Sequence, residues 1–89
     1  MIIFESDVAK KILSEYGCTN IDGYTLVNNS GVTFDYNGKR YDARHWRNIY
    51  GVSCNHWDIM LVSGGKVEDA KVLEMEKELN EKCLKPEYV

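Results

Sequence analysis

Apolar residues return at helical spacing near both ends of the chain and at alternate positions between them. Val8, Ile12, Leu13 and Tyr16 fall on one helical face, with Ser6 or Asp7 able to cap the free N–H groups of the first turn and Gly17 where a left-handed stop is usual. Asp22-Gly23 and Asn29-Ser30-Gly31 are turn signals on either side of residues 24–27, which read as a strand. Val32, Phe34 and Tyr36 then alternate. Asn37-Gly38 follows, the favoured pair for a two-residue hairpin in which both positions need positive φ, and residues 39–43 return as the partner strand. Asp42 is a plausible cap for a short helix over residues 43–50, with Trp46, Ile49 and Tyr50 on one face and Gly51 as its stop. Residues 54–62 fit two periods: Trp57, Ile59 and Leu61 alternate, while Trp57, Met60 and Leu61 suit a helix capped by Ser53 or Asn55, the reading favoured here. After the break at Ser63-Gly64-Gly65 a last helix runs from about Val67 to Leu84, ahead of Pro86, with an apolar stripe of Val72, Met75, Leu79 and Cys83.

These elements predict an α+β domain spanning residues 1–89. An N-terminal helix leads to a three-stranded antiparallel meander, one or two short helices and a long C-terminal helix packed on the sheet. With 89 residues and 44% hydrophobic content, the chain has the apolar surface for one compact core and no room for a second domain. The start Met1-Ile-Ile-Phe4 is too short for a signal-peptide core, and no apolar run approaches a membrane span. Three widely spaced cysteines without a CxxC pair favour reduced thiols and a cytoplasmic setting.

Charge changes the picture through its distribution. The net charge is −3, yet all three arginines, Arg40, Arg44 and Arg47, lie within one span of eight residues, interleaved with Tyr41, Trp46 and Tyr50. Guanidinium groups bind carboxylate or phosphate bidentately, and Arg, Trp and Tyr are enriched where proteins bind one another. These six residues are therefore the candidate partner-binding set. In a helix over 43–50 the arginines would project together, with Trp46 and Tyr50 turned inward. The competing reading is a solvated face whose arginines pair with acids on the molecule's own helices.

Other constellations carry less. His45, Cys54 and His56, with Cys83 or Asp58, are residue types that suit zinc, but their spacing matches no established finger, and no metal or other cofactor is assigned. Cys54 and His56 lack a nucleophile turn and an oxyanion element, and Ser63-Gly-Gly-Lys66 lacks the frame of a phosphate loop. No catalytic pattern emerges. The C-terminal stripe is narrow enough to serve helix pairing and hence a homodimer, although packing on the sheet is the commoner use of such a stripe.

In size, mild acidity and lack of catalytic residues, the chain resembles the small single-domain proteins that phages and mobile elements encode, including anti-CRISPR inhibitors. That resemblance implies a non-enzymatic stoichiometric inhibitor or adaptor that docks on a larger protein. The alternative is nucleic-acid or nucleotide binding through residues 39–50, which the acidic balance of the chain disfavours.

Overall fold

The structure, a computed structural model, describes residues 5–26, 29–46 and 56–83; the side chains of Glu5, Ser6 and Trp46 fall outside that description. Its elements are α1 (Glu5–Glu15), β1 (Thr19–Thr25), β2 (Asn29–Tyr36), β3 (Lys39–Trp46), β4 (His56–Leu61) and α2 (Ala70–Lys82). The strands form one antiparallel sheet in the order β1-β2-β3-β4.

Helix α1 ends as its sequence asks. Gly17 sits at φ 92° and the Cys18 N–H reaches back to the Leu13 carbonyl at 3.2 Å, closing a Schellman-type stop. At its start the helix already includes Glu5, so Ser6 and Asp7 lie within the first turn. Helix α2 is shorter than expected because Asp69 takes the N-cap, accepting from the Lys71 N–H at 2.9 Å.

The hairpin at Asn37-Gly38 is where the sequence places it, both residues holding positive φ (52° and 80°) and Tyr36 pairing Lys39. Three expectations around it are corrected. The sheet has four strands, because residues 56–61 form β4 where a short helix was favoured. The segment after the hairpin remains strand through Trp46, so a helix from residue 43 is excluded and Asp42 lies mid-strand. Asn29-Ser30-Gly31 and Asp22-Gly23 are strand residues, and β1 runs from Thr19 with a bulge between Thr19 and Asp22 in which Asn20 takes φ 49°. Residues 47–50, and the proposed caps Ser53 and Asn55, lie outside the described residues.

The core explains why the extra strands were hidden. Tyr41, Ala43 and His45 of β3 point inward, so alternation is present but two of its inward positions are a small and a polar residue. His45 is 1% exposed and stacks on Trp57 of β4 with ring centroids 4.7 Å apart. Phe34 stacks on Tyr41 in the same layer, at 5.5 Å. Against this layer lie Ala9, Ile12 and Leu13 of α1 and the stripe Val72, Met75, Leu79 and Cys83, all in one buried cluster. The stripe is thus spent on this chain's own core, leaving Leu73 beside it half exposed.

Candidate functional site

Both helices pack on one face of the sheet, and among the described residues no element covers the other. Strand alternation sends every second residue to that open face: odd-numbered ones from β2 and even-numbered ones from β3 and β4. The registers then set them in rows across the strands. One row runs Asp22, Thr33, Asp42, Met60; the next runs Tyr24, Gly31, Arg44, Asp58; beyond the first lie Asp35 and Arg40 as a facing pair.

Two charged groups organise this lattice. The Arg40 guanidinium donates to Asp35 at 2.9 Å, to the Thr33 hydroxyl at 2.9 Å and to the Asn20 carbonyl at 3.1 Å, with Asp22 3.7 Å away. Asn20, turned by the bulge, donates its side-chain amide to the other Asp35 oxygen at 2.6 Å. These donors, Asn20 first and Arg40 second, hold the Asp35 carboxyl below its ordinary range. In the second group the Tyr24 hydroxyl donates to the Asp42 carboxylate at 2.9 Å and Arg44 donates to the same carboxylate at 3.2 Å. Hydrogen bonding with Tyr24 and then Asp42 raises the Arg44 pKa further, keeping the guanidinium charged. Burial is the main reason the Tyr24 phenol itself is pushed up.

Gly31 makes the second group possible. A Cβ at that position would stand 2.6 Å from the Tyr24 ring, so the ring lies across the glycine and only the bare backbone leaves it room. On the β4 side His56 and Asp58 approach to 3.1 Å, both about half exposed.

Of the six residues expected to bind a partner, the structure brings Arg40 and Arg44 onto this face. Tyr41 points the opposite way and is 1% exposed. Trp46 ends β3, and Arg47 and Tyr50 lie outside the described residues. The two arginines do pair with the molecule's own acids, as the competing reading held, but those acids are residues of the sheet, Asp22 on β1, Asp35 on β2 and Asp42 on β3 itself, not of the helices. Tyr24, Asp22, Asp35 and Asp58 were missed as companions of the arginines. The Asn37-Gly38 hairpin was the signal for part of the set, since its register places Asp35 opposite Arg40.

The zinc-type set is not assembled. His45 faces the core and His56 the open side, so the sheet separates them, and Cys54 lies outside the described residues. Nor is Cys18 an activated nucleophile, since burial pushes its thiol up to about 11. A shallow depression of about 430 Å³ borders the lattice where Gly17 and Thr19 meet the hairpin at Asn37 and Lys39. No family model matches the chain, and neither a curated protein nor a solved structure does. No helix is long and apolar enough to cross a membrane, among the described residues.

Proposed function

We propose that the chain is a non-enzymatic protein-binding domain, a stoichiometric inhibitor or adaptor, that docks on a larger protein through the open face of its sheet. The observation that carries this reading is the pre-organised lattice on that face. Arg40 is held by four oxygen partners and Arg44 by the Tyr24–Asp42 pair, so binding freezes few additional rotamers. Arg and Tyr are also residues that anchor protein interfaces.

The alternative of nucleic acid gains less from the same geometry. Four carboxylates, Asp22, Asp35, Asp42 and Asp58, share the face with two guanidiniums, and a phosphate backbone would meet net repulsion. Trp46, Arg47 and Tyr50, proposed as further anchors, continue the chain from the end of β3.

The test is capture of a partner from the native host with the wild-type chain, repeated with Arg44→Glu combined with Asp58→Lys. The expected result is loss of the captured protein with the double variant and its retention by Lys77→Glu, a change on the exposed side of α2. Retention by the double variant would refute docking through this face.

A further inference from the structure

The two edges of the sheet are finished differently. Ladder phase follows from two bonds: the Leu26 N–H donates to the Asn29 carbonyl at 2.7 Å, and the Val62 N–H to the Arg40 carbonyl at 3.1 Å. In an antiparallel ladder, residues alternate between bonding inward and pointing their N–H and C=O outward. By that phase Trp57, Ile59 and Leu61 of β4 point outward, and so do Gly23 and Thr25 of β1.

On β4 four of the six outward groups are bonded within the chain. The Asn80 side chain accepts from the Trp57 N–H at 2.8 Å and donates to the Trp57 carbonyl at 2.9 Å. Glu76 accepts from the Ile59 N–H at 2.8 Å, and the Gly64 N–H caps the Leu61 carbonyl at 3.0 Å. On β1, no side chain among the described residues bonds the outward groups of Gly23 or Thr25. An edge left in that state is a template for another strand, which native folds ordinarily block.

We infer that the β1 edge at Gly23–Thr25 accepts an extended segment of another protein, added as a fifth strand. The side chains beside the edge define the chemistry of that segment. On the helix side, the Lys10 Nζ lies 3.2 Å from where a Gly23 Cβ would be. On the open side, the Asp22 side chain is 80% exposed. The added strand therefore places an acidic residue toward Lys10 and basic residues on alternate positions toward Asp22, because side chains in a strand point to opposite faces. Leu26, 56% exposed where β1 ends, supplies an apolar contact for the end of the segment. This mode of recognition takes its affinity from main-chain bonds and its specificity from alternate side chains. It rests on the reading that the chain binds a protein, but not on which face does so.

The test is amide hydrogen exchange of the intact chain by NMR, alone and with a capped synthetic heptapeptide alternating lysine with glutamate and valine. In the free protein the Gly23 and Thr25 amides should exchange freely while those of Tyr24, Trp57 and Ile59 are protected. With the peptide, exchange at Gly23 and Thr25 should slow more than about tenfold. A peptide with the two charge signs exchanged should slow it less. Thr25→Pro removes one outward N–H at an edge position that tolerates proline and should abolish the effect with the fold intact. Protection already present in the dilute free protein, or none gained with the peptide, would overturn the inference. Protection that grows with protein concentration alone would assign the edge to a second copy and equally overturn it. Since Arg44 and Asp58 take no part, failure here leaves docking through the open face standing, and the reverse holds too.

Discussion

Gly31 is the residue on which the open face turns. Its missing side chain lets the Tyr24 ring cross β2 and reach Asp42, and through Asp42 it sets Arg44. Gly31→Ala should destabilise the fold by about 1–3 kcal/mol, since an added methyl in a filled site forces its neighbours to move. Tyr24→Ala should remove most of that penalty in the double variant, a non-additivity readable from urea midpoints. Equal penalties in the presence and absence of the Tyr24 ring would show that the ring does not fill the glycine's space. His45 carries the same lesson inward: a polar residue at a core position becomes legible only once its stacking partner Trp57 is seen.

At the scale of elements, the α2–β4 contact is a lock with named parts. Asn80 bonds both backbone groups of Trp57 and also donates to the Glu76 carbonyl at 3.0 Å. Asn80→Ala should lose about 1–2 kcal/mol, because the Trp57 groups then lack a protein partner. Combined with Glu76→Ala it should open the β4 edge and produce concentration-dependent self-association in sedimentation beyond that of the wild type. A double variant that sediments unchanged would mean the two side chains are not what closes β4. The hairpin, both long helices and the inward stripe of α2 were legible because local chemistry dictates them: positive-φ turn residues, a glycine stop, an apolar repeat. Strand β4 and the end of β3 were not: β3 carries its inward alternation on a small and a polar residue, Ala43 and His45, while Trp57, Met60 and Leu61 also fit a helix, and the sheet decides between the two periods. Half the candidate site followed the same division. Arg40 and Arg44 stand out as a cluster in the chain, whereas Tyr24 and Asp58 join them only through register.

For the whole molecule, the asymmetry between a covered and an open sheet face also shapes its response to pH. Cys18, whose thiol lies 3.8 Å from the Met75 sulfur, titrates from an ordinary 9.0 upward to about 11 when buried. Tyr16, Tyr24 and Tyr41 shift the same way, burial being the first cause for each. For acids whose folded pKa is raised, the unfolded chain releases its protons first. Stability is therefore whole below about pH 9 and falls as the pH climbs toward 11. Urea midpoints at pH 7, 9 and 10.5 should decline only across the last interval; an unchanged midpoint at pH 10.5 would contradict the burial of these groups. Asp35 and Glu78 work in the opposite sense: their carboxyls are depressed from 3.8 and 4.5, so what they contribute is present above those values and lost as acid protonates them.

The proposed docking brings a partner to the sheet face that no described element covers and not to the helical side. Hydrogen exchange by mass spectrometry on the complex recovered from the native host measures that directly. Slowed exchange over residues 22–25, 40–44 and 58–60, with α2 unchanged, is the expected result. Slowing confined to the outer side of α2 around Leu73, Glu74 and Lys77, with the strands unaffected, would contradict it.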